Sequence, residues 1–143
     1  MPHLVILYTK NIESDTNMTQ LCRSLADVMI VQKDESGKLV FPTGGTRVLA
    51  YPAAHHAVAD DGSTGRAAGG TGNYAFVYLN VRMGKGRSSL VHQQVGEALM
   101  GAAKAHLEPV FKKRHIGVTL QIDEGHEVFD AKHSNLHPLF SPA

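Results

Sequence analysis

The chain opens Met1-Pro2-His3 and passes straight into an apolar run, Leu4-Val5-Ile6-Leu7-Tyr8. Proline has a small side chain, which favours trimming of the initiator methionine and leaves Pro2 as the N-terminus. Its nitrogen is then a secondary amine on a fixed ring, unlike any internal side chain. An apolar pocket and a neighbouring cation both destabilise the charged form of such an amine and lower its pKa. The ordinary α-amino value is about 7.7–8.0 and a secondary amine starts higher, so a depressed value falls near neutrality. In that state Pro2 is a general base able to move protons on and off carbon. A proline merely tolerated ahead of a strand is the other reading of the same residues. Retention of Met1 would make the Pro2 nitrogen an amide with no basic lone pair.

A second candidate is the turn Gly84-Lys85-Gly86-Arg87-Ser88, placed where a long helical pattern begins. Backbone N–H groups at a helix start point outward, and the helix dipole favours an anion there. Arg87 adds a planar fork suited to a carboxylate. The Gly-Lys-Ser/Thr ending of a phosphate loop is absent, which argues against nucleotide binding. A solvated turn carrying an incidental arginine is the plain alternative. The nine histidines raise the question of a metal. His55 and His56 are adjacent and point to opposite sides of a strand. His133 and His137 stand four apart, but Asn135 and Pro138 oppose a regular helix there. No glutamate or cysteine completes a ligand pattern, so neither metal nor cofactor is expected. Cys22 lies on the apolar stripe of a predicted helix and reads as a packed thiol, not a nucleophile.

The elements that must position these groups are legible in outline. At 143 residues, with 43% hydrophobic and 19% charged residues, the chain suits one globular domain spanning 1–143. A net charge of +1 with no basic block does not support a nucleic-acid footprint. No apolar run approaches the roughly 20 residues of a membrane span and no signal peptide precedes the first strand, so a cytoplasmic protein is expected. Leu4 to Tyr8 reads as a strand buried on both faces. Asn17, with Gln20 three residues on, caps a helix carrying Met18, Leu21, Cys22, Leu25, Ala26 and Met29 on one stripe. Asp34-Glu35-Ser36-Gly37 and Pro42-Thr43-Gly44-Gly45-Thr46 are turns, and Arg47 to Tyr51 is a strand that Pro52 limits or marks as an edge. Asp60 to Asn73 carries five glycines in fourteen residues and reads as a mobile loop, a lid or a tolerated insertion.

The second half repeats the first. Tyr74 to Met83 alternates strongly enough to be the best-defined strand. Ser88 or Ser89 caps a helix that runs to Lys112-Lys113-Arg114, and Ile116, Val118, Leu120 and Ile122 form a last strand ahead of a C-terminal tail at 125–143. Helix-length connections favour parallel pairing within each strand–helix–strand unit. The expected α/β (α+β) architecture is a four-stranded core sheet with two helices on one face. Its other face then needs cover, which oligomerisation supplies.

These residues together resemble the 5-carboxymethyl-2-hydroxymuconate isomerase family of the tautomerase superfamily with an amino-terminal proline. The likeness rests on Met-Pro-His-Leu-Val at the start, Tyr74-Ala75-Phe76-Val77, and Gly84-Lys85-Gly86-Arg87-Ser88 followed by Gln93-Gln94-Val95-Gly96-Glu97. It ends with His133-Ser134-Asn135-Leu136-His137-Pro138-Leu139-Phe140, so it spans nearly the whole chain in order. The resemblance implies a tautomerase/MIF-like fold of doubled β-α-β units assembled as a homotrimer. It also implies an isomerase of aromatic-compound catabolism acting on a 2-hydroxymuconate-like unsaturated 2-oxo acid. Pro2 would be the base, Arg87 would engage the substrate's carboxylate or carbonyl end and steady the developing enolate, and Arg47 would hold another carboxylate. A tautomerase of a different 2-oxo acid, such as an arylpyruvate, and a non-catalytic trimeric anion-binding protein are the alternatives. The chain departs from the family pattern at Gly45, where a second arginine is common, and at Leu49, where a histidine is. Lys10, His55, Arg66 and Arg82 are the candidates to replace the missing cation.

Overall fold

The computed structural model describes residues 3–140; Pro2, the expected base, lies outside the described residues. Four strands form one sheet: β1 (His3–Thr9), β2 (Arg47–Ala53), β3 (Ala75–Met83) and β4 (Ile116–Glu124). Their order across the sheet is β2-β1-β3-β4. Pairing is parallel within each half, β1 with β2 and β3 with β4, as crossover connections through a helix require. The two halves meet at the centre, where β1 and β3 run antiparallel.

Period-two patterning decides which face is buried. Ala75, Val77, Leu79, Val81 and Met83 of β3 lie in the core with Leu4, Ile6 and Tyr8 of β1. Two helices cover that face, α1 (Met18–Ile30) and α3 (Ser89–Phe111), with a short helix α2 (Ser63–Ala67) between them in the chain. From α1 come Leu21, Leu25 and Met29; from α3, Val91, Val95, Leu99, Ala103 and Leu107. Both long helices begin at the predicted caps. The Asn17 side chain accepts a hydrogen bond from the Gln20 amide, and Ser88 Oγ accepts one from the Val91 amide. Cys22 is half-buried against the core, and burial pushes its thiol up, as a packed thiol should behave.

At Pro52 the structure decides between the two readings of the sequence, and at the glycine-rich segment it departs from them. Strand β2 runs through Pro52 to Ala53, which an edge strand tolerates because one of its sides needs no ladder donor. The glycine-rich segment is not a bare loop. It contains α2, whose start is held by Asp60: the carboxylate accepts from the amides of Gly62 and Thr64 and from the Thr64 hydroxyl. Those bonds, led by the Thr64 hydroxyl, hold the Asp60 carboxyl far below the usual carboxylate range. The Gly65 amide donates to Tyr74 Oη at 2.7 Å, fastening α2 to the start of β3. Glycine at 62 and 72 is needed for positive φ and close backbone approach, with φ of 93° and 77°.

Candidate active site

The strand register gathers the site residues at one end of the sheet. His3, the residue after Pro2, has Arg47 of β2 and Arg82 of β3 as its Cα partners on either side. Alternation puts all three on the outer face, opposite the helices. His3 and Arg47 line a cavity of about 520 Å³ whose other wall is the C-terminal tail, including Asp130, Lys132, His133 and Ser134. Pattern reading of the sequence missed those tail residues, because nothing local indicates that a coil at 130–134 returns to the first residues of β1. The nearest signal is the family-like tail motif that begins at His133.

Arg87 stands in a neighbouring cavity of about 510 Å³, with Lys38, Leu39, Thr43, His137 and Phe140. Gly44 lines both cavities, so they adjoin at that residue. It belongs to the 3-10 turn Thr43–Gly45, against which the 3-10 turn His137–Phe140 packs. A Cβ on Gly44 would sit 2.9 Å from His137 Cα, closer than real side chains approach a backbone. Gly45, where the resemblance implies an arginine, is buried in the same turn.

The predicted anion-binding turn has its anions supplied from within the chain. Arg87 Nη2 donates to the Val40 carbonyl at 2.8 Å, and Nη1 lies 3.7 Å from Asp34 Oδ2. The Ser88 hydroxyl donates to the Glu35 carboxylate, which is thereby held below its usual range. The Asp34 carboxyl is also lowered, first by the Ser36 hydroxyl, with the Lys38 and Ser36 amides and Arg87 contributing. Asp34 and Glu35 were read from sequence only as turn formers, yet they compensate the charge at the start of α3. Arg87 therefore clamps the 34–40 segment while 28% of its side chain remains exposed beside the second cavity.

The opposite end of the sheet carries an apolar cavity of about 340 Å³, lined by Val58, Ala68, Tyr74 and His115 among others. Among the described residues no arginine or lysine lines it, and it lies at the end of β1 remote from His3. Among the described residues no group of three or more His, Cys, Asp and Glu side chains is placed to hold a metal ion. No helix of the described residues is long and apolar enough to cross a membrane.

Comparison with known proteins agrees with this arrangement over its whole length. The family model for 5-carboxymethyl-2-hydroxymuconate isomerase matches residues 2–140. The Escherichia coli 5-carboxymethyl-2-hydroxymuconate Delta-isomerase is 27% identical over 140 residues, covering 98% of this chain and 99% of that protein. A crystal structure of a 5-carboxymethyl-2-hydroxymuconate delta-isomerase is 55% identical with a TM-score of 0.96, covering 100% of this chain and 95% of the other. The 5-carboxymethyl-2-hydroxymuconate isomerase from Deinococcus radiodurans R1 is 28% identical with a TM-score of 0.79, covering 99% and 95%. The doubled β-α-β sheet is the tautomerase fold. With the fold, the cationic end of β1 and a match from the second residue to the tail all in agreement, the chain belongs to the 5-carboxymethyl-2-hydroxymuconate isomerase family.

Proposed function

We propose that this isomerase moves a proton between the enol or α-carbon and the vinylogous carbon of a 2-hydroxymuconate-like unsaturated 2-oxo acid, with the Pro2 amine as the base. The observation that carries the reading is the register of β1: the residue following Pro2 lies beside Arg47 and lines a cavity with it. A proton taken from the substrate leaves an enolate or dienolate, whose negative charge a guanidinium stabilises more than it does the neutral ground state. The same cation favours the unprotonated amine, so one charge serves both steps. Arg47 holds a carboxylate in the first cavity. Arg87, in the cavity that adjoins at Gly44, faces the end of the substrate on which charge grows. Its hydrogen bond to Val40 and its ion pair with Asp34 hold the guanidinium in place, which is the preorganisation such a role needs.

The assembly proposed is a homotrimer acting in the cytoplasm on a small carboxylate substrate. Supporting it, the outer face of the sheet exposes Leu7, Leu49, Tyr51 and Phe76, apolar side chains that no helix covers. Strands β2 and β4 also leave two unpaired sheet edges, which neighbouring copies can complete. The test is an ultraviolet assay of dienol isomerisation, using protein whose mature N-terminus has been verified by mass. Ketonisation or double-bond transposition of a 2-hydroxymuconate-type acid is expected. Turnover of arylpyruvate alone would favour the related tautomerase. Binding of carboxylates without any turnover would favour an anion-binding protein.

A further inference from the structure

Building on that isomerase reading, we infer that Arg82 is the residue that grips a second carboxylate of the substrate, supplying the charge that Gly45 does not. Four cations were candidates for that role, and the fold separates them. Lys10 follows the last residue of β1, at the end away from Pro2. His55 follows β2, which runs parallel to β1 and so finishes at that same remote end. Arg66 belongs to α2, bonded to the Asp61 carbonyl and packed on Gly72 beside the start of β3, again at the remote end. Arg82 is different. It is the Cα partner of His3, on the outer face, in the same row as Arg47.

Adjacent strands lie about 4.8 Å apart, so the Arg47 and Arg82 backbones stand about 10 Å apart with His3 between them. Two long side chains over that gap can reach the two ends of one small dianion. The charges around Arg82 leave it available. Asp123, its Cα partner on β4, accepts a hydrogen bond from Asn80 Nδ2 at 2.7 Å. Glu124 faces His92 at 3.3 Å. Among the described residues the carboxylate paired with Arg82 is that of Glu127, 3.8 Å from Nη2, and both side chains are nearly half exposed. An exposed pair at that distance is weak and readily exchanged for a ligand carboxylate. Glu127 lies near the start of the tail, three residues before Asp130, where the tail begins to wall the His3–Arg47 cavity; Arg82 itself is tied to that cavity through its register with His3.

Steady-state kinetics on Arg82→Ala and Arg82→Lys, with a dienol carrying two or three carboxylates and a monocarboxylate dienol, test the assignment. In Arg82→Ala, KM for the polycarboxylate should rise on the order of tenfold to a hundredfold, the loss of one charge-assisted hydrogen bond. Its kcat should change far less, because the grip is equal in ground and transition states. KM for the monocarboxylate should move less than twofold, and Arg82→Lys should recover part of the polycarboxylate affinity. Equal effects on both substrates, or none on either, would overturn the assignment. Calorimetric titration with unreactive saturated tri- and monocarboxylates reads the same contrast without turnover. A wild-type protein inert toward every dienol would therefore defeat the isomerase reading, whereas loss of the calorimetric contrast would defeat the role of Arg82.

Discussion

Removing the Arg87 guanidinium should damage the protein in two separable ways. In the folded chain Nη2 donates to the carbonyl of Val40, a residue only 3% exposed. Arg87→Ala leaves that carbonyl without its charged partner, which costs about 1–3 kcal/mol of stability. Taking 2 kcal/mol as representative, Tm at fixed protein concentration should fall by about 6 °C for a chain of this size. If the same guanidinium stabilises the enolate, kcat/KM should also fall by about 2–4 kcal/mol of transition-state stabilisation, on the order of thirtyfold to a thousandfold. The base should respond too. With a cation gone, the charged form of Pro2 is less disfavoured and its pKa rises, so the limb on which activity grows with pH moves to higher pH. Arg87→Lys separates the effects: one ammonium donor can reach Val40 and restore most of Tm, while the missing planar fork leaves kcat/KM partly impaired. Differential scanning fluorimetry and initial rates across pH, measured well below Tm, read each effect. A lowered Tm with an unchanged kcat/KM and an unchanged pH profile would refute the reasoning and make Arg87 a clamp on residues 34–40 alone.

Arg47→Ala should act chiefly on KM and on the preference for dicarboxylates over monocarboxylates, which a substrate panel reads. Gly44→Ala should force the 137–140 turn off its seat, because the obstruction at 2.9 Å is backbone; overpacking of this kind costs about 1–3 kcal/mol, and earlier proteolysis of the tail should accompany the lower Tm. Tyr8 donates to Glu13 Oε2 at 2.6 Å, and burial followed by that bond pushes its hydroxyl up to about 12. A raised folded value stabilises the protein fully below pH 10 and loses that contribution as pH climbs toward 12, so Tyr8→Phe should flatten stability against pH in this window and remove a late step from the phenolate absorbance titration. Leu49→Glu, placed on the exposed outer face of the sheet, should shift the sedimentation coefficient from that of a trimer toward that of a monomer.

What could be read from the sequence was local or periodic. Asn17 and Ser88 cap as expected because capping spans three residues, and the Ala75–Met83 alternation survives because one face meets a hydrophobic core. The helix-length connections also foretold the parallel pairs. Long-range register was not legible. Nothing in the pattern says that β1 pairs antiparallel with β3, or that this places Arg82 beside His3. Pro52 allowed either a strand end or an edge, and only the sheet order decides for the edge. The Asp60–Asn73 segment looks featureless because its glycines dominate the composition. Its order comes from the Asp60 carboxylate and from Tyr74 nine residues beyond Gly65, contacts that pattern analysis does not weigh. Arg87 was identified by its turn, but its hydrogen bond to Val40 and its ion pair with Asp34 depend on the 34–40 segment returning to the start of α3, which no spacing rule encodes.

The central claim is that a free Pro2 amine transfers the proton. The measurement closest to it compares two preparations of the same chain, one processed to Pro2 and one retaining Met1, each verified by mass. Their kcat/KM is followed from acid to alkaline pH on a 2-hydroxymuconate-type dienol. The processed protein should show activity that rises with a single ionisation near neutrality, below the value of about 7.7–8.0 ordinary for an α-amino group. The Met1-bearing protein should bind the substrate yet fail to turn it over, because an amide nitrogen cannot accept the proton. Equal activity and a shared pH profile in the two preparations would contradict the account.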